Sequence, residues 1–509
     1  MLTGSKDARS FRRAKIVGLA TLALLAWIAT APSTRADTPN PSSPILVSGA
    51  TPFSQGCSGA PPQITIFVNA EVEPQVAVDP NDPDHLVGVW QQDRFEGGGA
   101  QGLLTGASFD GGATWHLSYA PLSICSGGNA ANGANFRRAS DPWVTFAPNG
   151  DVYQSSISFT PATGANAVLV SKSADGGLTW GNPVALIRDN TFALKFNDKE
   201  SITADPTDAH RVYAVWDRID FPSDGADPNA LHSFSFRGDT MFSRTTDGGL
   251  TWSPARAIFA PQALLFSIGN IIVVLPDGDL VDVMALGQGS QLQRSAWDMA
   301  VIRSEDHGDT WSDPIVVAHS ETNFVMDPET GIPVRAGDFL PEIAVDPVTG
   351  ALYVVWEDAS FNAPPLALAV PSIALSRSTD GGFTWSPPMR INQEPRVAAF
   401  TPSIAVASDG TVGVTYYDFR SDTADPFTLP TDYWLVHCHA DCMTLDHWAE
   451  THVAGPFDMR TAPFSGGLFL GDYEGLIVVG RSFLAFFVQT NSGDVANRTD
   501  VFAVRLERP

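Results

Sequence analysis

One octapeptide recurs five times along the 509-residue chain, and no other feature restricts its fold as tightly. The copies are Ser108-Phe-Asp-Gly-Gly-Ala-Thr-Trp115, Ser173-Ala-Asp-Gly-Gly-Leu-Thr-Trp180, Thr245-Thr-Asp-Gly-Gly-Leu-Thr-Trp252, Ser304-Glu-Asp-His-Gly-Asp-Thr-Trp311 and Ser378-Thr-Asp-Gly-Gly-Phe-Thr-Trp385. Each suits a tight hairpin: the Asp carboxylate accepts backbone N–H bonds, Gly tolerates positive φ, and Thr-Trp opens the returning strand. Because every copy repeats the placement, Asp110, Asp175, Asp247, Asp306 and Asp380 are read as structural and not as catalytic acids.

A looser repeat precedes each octapeptide and continues after they stop. It pairs two β-rich runs across Asp-Pro, Asp-Gly or Asn-Gly turns, as in Pro74–Asp79 with Leu86–Trp90, Ser201–Asp205 with Val212–Trp216, and Gly475–Val479 with Phe483–Phe487. Seven such hairpins can be counted. The octapeptide is the Asp box, and through it the chain resembles the sialidase-like superfamily of β-propellers over most of its length beyond the leader. That resemblance implies an all-β fold: a single β-propeller of four-stranded antiparallel blades over 63–509, with Asp-box hairpins. The hairpin count favours seven blades, while sialidases themselves have six. Each Trp is expected to plug the seam beside the next repeat. In the sixth repeat, Cys438–Trp448 stands where the box would be, with a disulfide as staple and Trp448 as plug. A strand from Gln63–Val68 is expected to close the last blade.

The first 36 residues place Lys6, Arg9, Arg12, Arg13 and Lys15 before an apolar run from Ile16 to Ala31, ending in Thr34-Arg35-Ala36. This is the pattern of a secretory signal peptide, too short for a stable membrane span. Residues 37–62 then form an N-terminal extension. Export implies an extracellular or periplasmic, disulfide-permissive setting, where Cys57–Cys125 and Cys438–Cys442 are the expected pairs. Metal ligation by His437, Cys438, His439 and Cys442 is the competing reading, and it lacks a convincing second ligand pair. Losing residues 1–36 removes six basic residues and one acid, moving the formal charge from −26 to −31. So acidic a surface excludes nucleic acid as a partner. No nucleotide loop or serine-hydrolase elbow occurs. No cofactor is required; Ca²⁺ could be held by loop carboxylates, but no loop carries an EF-hand ligand series, so it stays unassigned. A monomer acting on a glycan or glycoconjugate is expected.

Within a four-stranded blade, the boxes lie at one end. Residues before the first strand and after the second lie at the other, and the unusual polar residues gather there. They include Glu71, Glu73, Asp198, Lys199, Glu200, Asp338, Glu357 and Asp472. Asp141, Glu342, Tyr417, Tyr473 and Glu474 are singled out there as catalytic, all but Glu342 because they break the repeat. Arg94, Arg138, Arg218 and Arg420 are assigned by topology to substrate binding, since arginine forks clamp acidic sugars. The resemblance implies a tyrosine nucleophile assisted by glutamate, an aspartate acid/base and three arginines, although the Arg-Ile-Pro signature of sialidases is absent. A secreted glycoside hydrolase, exo-α-sialidase-like, is the leading reading. A non-catalytic glycan- or protein-binding adhesion propeller and a uronate polysaccharide lyase are the alternatives.

Overall fold

The computed structural model describes residues 38–190, 195–220, 237–262, 265–288, 296–362 and 369–507; the expected signal peptide lies outside them. Strands alternating apolar and polar residues dominate, as the β-branched runs dictate, and among the described residues only short 3₁₀ turns such as Leu445–His447 and Met459–Thr461 are helical.

The strands fall into seven successive antiparallel units. Unit 1 comprises Ile66–Asp79, Asp82–Phe95, Ala100–Ser108 and His116–Ser118. Unit 2 comprises Arg138–Phe146, Val152–Thr160, Ala165–Ser173 and Val184–Asp189. Units 3 and 4 begin with Lys195–Ala204 and Leu265–Val274, and units 5 and 6 with Glu342–Val345 and Ala399–Val406. Unit 7 comprises Gly475–Val479, Ser482–Thr490 and Thr499–Glu507. Its outer edge is closed by Asn40–Pro41 and Ile45–Leu46, which pair antiparallel with Thr499–Glu507. The closing strand is therefore not Gln63–Val68, whose end opens the long first strand of unit 1. Two-residue strands interrupted by Pro41 and Pro44 leave no periodic signal to read. First strands of consecutive units touch in order, and that of unit 7 touches that of unit 1.

All five octapeptides make the same turn. In unit 4, Asp306 Oδ1 accepts from Thr310 N at 2.8 Å, Oδ2 accepts from Thr310 Oγ1 at 2.6 Å, and Ser304 Oγ donates to Oδ1 at 2.8 Å. Their tryptophans fill seams with the preceding unit rather than the next: Trp311 lies 5.7 Å from Phe242 of unit 3, and Trp115 lies 5.5 Å from Phe486 of unit 7. In units 1 to 4 the second glycine of the turn explains the direction. A Cβ on Gly308 would stand 2.5 Å from the Phe242 ring, and one on Gly249 2.8 Å from Tyr153, so only glycine lets the preceding unit's side chain reach the turn. In unit 6 the disulfide Cys438–Cys442 takes the turn, and Trp448, 1% exposed, fills the seam with unit 5. The second expected disulfide, Cys57–Cys125, is also formed.

Candidate functional site

The octapeptide turns pack against the hairpin joining first and second strands, as where Gly248 N donates to His210 O at 3.0 Å in unit 3. Toward the other end of each first strand the backbone departs from regular pairing. Register shifts fall between Val72 and Gln75, Ser140 and Trp143, Asp198 and Ser201, Ile268 and Ile271, and Phe400 and Ser403. One residue in each bulge has positive φ: Glu73 (53°), Asp141 (51°), Lys199 (48°), Gly269 (74°) and Thr401 (50°); Asp338 (53°) precedes the first strand of unit 5. Three of these, Glu73, Asp141 and Thr401, precede a proline, which has no N–H to give the ladder and so belongs at a bulge. A non-glycine residue in this region costs about 1–3 kcal/mol, a strain that concentrates at functional sites.

The bulges bring Glu73, Asp141 and Lys199 together. Lys199 Nζ donates to Asp472 Oδ2 at 2.6 Å and lies 3.5 Å from both Glu73 Oε1 and Asp141 Oδ2. Arg335 grips Asp472 from the other side through two nitrogens, Nε at 2.9 Å from Oδ1 and a terminal nitrogen on Oδ2. Arg94 lies 3.9 Å from Glu73, and the guanidinium carbons of Arg94 and Arg335 lie 4.7 and 4.4 Å from the centre of the Phe469 ring. A small sheet delivers the last components: Val325–Met326 pairs with Pro333–Arg335, which pairs in parallel with Leu468–Phe469. Sequence reading missed Arg335 because two- and three-residue strands more than a hundred positions apart leave no pattern. Lys199 did leave a signal, as a lone cation between Asp198 and Glu200 before a first strand.

Burial sets the proton affinities. It pushes the Glu73 carboxyl up to about 8, with repulsion from Asp141 adding to it and Lys199 partly opposing it. Burial alone raises Glu342 to about 8, although part of its side chain remains open. Burial, then the Asp141 charge, lifts Asp198 to about 7; burial, then the Asp472 charge, lifts Asp338 to about 7. Glu200 and Glu474 are driven well above the carboxylate range, chiefly by burial. For Lys199 burial disfavours the ammonium, but Asp141, Asp472 and Glu73 outweigh it and hold it charged beyond the ordinary lysine range.

Beside the cluster runs a narrow slot lined by Trp143, Lys199, Glu200, Asn270, Glu342 and Tyr473, among others. Of the residues singled out in the sequence, Asp141, Tyr473, Glu342 and Arg94 thus lie in or next to one site. The Tyr473 hydroxyl donates to Pro142 O at 3.3 Å, and burial and the surrounding carboxylates raise its pKa well above that of a free phenol, so it stays neutral. Tyr417 and Glu474 meet each other elsewhere, in the core between units 6 and 7: Tyr417 donates to Val488 O at 2.6 Å, and Glu474 Oε2 accepts from Val488 N at 3.0 Å. The other three arginines do not converge. Arg138 donates to the Gly97 and Gly98 carbonyls and lies over Phe95, Arg218 pairs with Asp189, and Arg420 pairs with Asp418 and Glu450 over Trp434. Among the described residues no group of three or more His, Cys, Asp or Glu side chains is arranged to hold a metal ion.

No family model matches the chain. Among solved structures, a Hadza microbial sialidase aligns with TM-score 0.45 and 14% identity, over 83% of this chain and 74% of that one. An α-L-arabinanase from Penicillium chrysogenum, solved with arabinobiose, aligns with TM-score 0.45 and 13% identity, over 91% and 98%. Among curated proteins, a sialidase from Micromonospora viridifaciens is 30% identical over 199 residues, which is 33% of this chain and 28% of the relative. The match therefore spans less than a third of that relative's length. Over those 199 residues the chain is similar to a sialidase, in line with the resemblance read from the octapeptides.

Proposed function

We propose that the protein is an exported glycoside hydrolase whose reaction centre is the slot between Lys199, Glu200, Glu342 and Tyr473, at the mouth of a seven-bladed propeller closed by its own N-terminal strands. The ring reading is supported by the circuit of first-strand contacts and by Trp115 lying against unit 7. Export is supported by the two disulfides, which persist in oxidising compartments. The five aspartates of the octapeptides keep their structural assignment, as the repeated turn bonds favour.

The observation that carries the hydrolytic reading is a set of carboxyls with opposed environments in one place. Glu342, raised to about 8 and open to the slot, is a proton donor at neutral pH. Asp141, 3.5 Å from the Lys199 Nζ, is its ion-paired counterpart. A protonated acid to the leaving oxygen and an ionised carboxylate for the developing cationic sugar are the two elements that glycoside hydrolysis needs. Tyr473, its phenol neutral, supplies a ring surface. The sialidase among the relatives supports cleavage of a glycosidic bond, over the third of the chain it matches.

The test is turnover of aryl glycosides by the exported chain, with Glu342→Gln and Asp141→Asn expected to lower kcat about 10²–10⁴-fold at unchanged circular dichroism. Full activity in both variants sinks the assignment. A binding-only mouth is favoured by one fact, the complete engagement of Asp472 by Lys199 and Arg335; it would retain sugar affinity with no turnover of any glycoside.

A further inference from the structure

Resting on the reading of the slot as a sugar site, we infer that it takes an uncharged sugar ring and rejects acidic sugars. The argument is an inventory of donors and acceptors. Four donors on the slot wall already have internal acceptors: Lys199 faces Asp472, Glu73 and Asp141; Tyr473 donates to Pro142 O; Ser201 Oγ donates to Asn270 O at 2.9 Å; and Asn270 Nδ2 donates to Asp217. The acceptors, by contrast, are left over. Both carboxyl oxygens of Glu200 and the Asn270 amide oxygen are buried without a partner. A buried acceptor without a donor costs about 1–3 kcal/mol, so the ligand that fits is one rich in hydroxyl donors. Trp143 and Tyr473, ring centres 5.4 Å apart, add an apolar surface for the C–H face of a ring.

An acidic sugar brings the wrong groups. Its carboxylate brings further acceptors to a wall whose unpartnered groups are already acceptors, and the cations beside it, Lys199 and Arg335, are held by Asp141 and Asp472. Clamping it would need an uncommitted guanidinium fork. Among the described residues none stands there: Arg335 holds Asp472, Arg94 donates to Gln91 Oε1 at 2.5 Å and Ser465 Oγ at 3.2 Å, and Arg138, Arg218 and Arg420 are tied to carbonyls or carboxylates elsewhere. A protonated Glu200 offers one O–H donor but no positive charge.

The experiment compares the full exported chain on two panels. One holds neutral 4-methylumbelliferyl pentosides and hexosides, the other the matching sialoside and glucuronide; binding of the free sugars is followed by saturation-transfer NMR. Neutral sugars are expected to bind and react at least about tenfold better than acidic ones, the worth of a single well-placed hydrogen bond. Preference for the sialoside or glucuronide overturns the substrate class while leaving hydrolysis standing. Binding of neutral sugars with no turnover supports the class and removes the hydrolase. Failure of every neutral sugar to bind overturns the inference. Glu200→Ala is expected to weaken neutral-sugar binding by a similar factor; an unchanged affinity in a folded variant counts against the slot.

Discussion

Buried carboxyls that prefer their neutral form make the pH dependence of this molecule unusual at the scale of single residues. Glu73 and Glu342 are raised to about 8 and Asp198 and Asp338 to about 7, whereas in the unfolded chain such groups titrate near ~4. Between those limits the unfolded state has released protons that the folded state keeps, so stability falls as pH rises from about 4 through about 8. The turn aspartates act with the opposite sign. Asp306 and Asp380, lowered to about 2 by bonds from their Thr and Ser partners, contribute stability that is lost as pH drops from just under ~4 through about 2. The expected outcome is an unfolding midpoint that peaks at mildly acidic pH and declines toward pH 8. Glu342→Gln, fixing one carboxyl in neutral form, should flatten the decline. A midpoint that climbs steadily from pH 5 to 8 contradicts the assigned environments.

At the scale of elements, the seam tryptophans and the turns that carry them are separable. Trp448 is 1% exposed between units 5 and 6, so Trp448→Ala should cost about 3–5 kcal/mol, as large core truncations do. Asp380→Ala removes the turn bonds that Thr384, Phe383 and Ser378 give it and should cost about 1 kcal/mol. Denaturant titration distinguishes them, and equal costs would mean that the turn, not the plug, holds the seam. How much of this the chain reveals unaided follows from what repeats. The octapeptides and paired hairpins recur, so units and turns are legible. The proline before which Glu73, Asp141 and Thr401 sit was equally visible, yet a proline in a strand reads as interruption until the bulge it marks is seen. Arg335 and Phe469 reach the cluster through tiny strands with no period. Arg138, Arg218 and Arg420 show the limit of topology: chain position brings an arginine near a mouth, but a closer carbonyl or carboxylate decides where its guanidinium points.

For the molecule as a whole, the two ends of the described chain are one structure. Beyond the strand pairs, Val47 N donates to Val501 O at 2.9 Å, Ser48 Oγ donates to Asp500 Oδ1 at 2.7 Å, and Val47 is 4% exposed. These contacts couple residues more than 450 positions apart, and they cover the outer edge of Thr499–Glu507. An uncovered strand edge presents unpaired N–H and C=O groups, a template for pairing with another copy. A chain lacking residues 38–48 is therefore expected to unfold at lower denaturant, by roughly 1 kcal/mol for each backbone bond lost, and to form oligomers that the full-length chain does not. Light scattering and denaturant titration read both effects. A monomer of unchanged stability would mean that unit 7 needs no closing strand, and the circuit of first strands would then have to hold through their side-chain contacts alone.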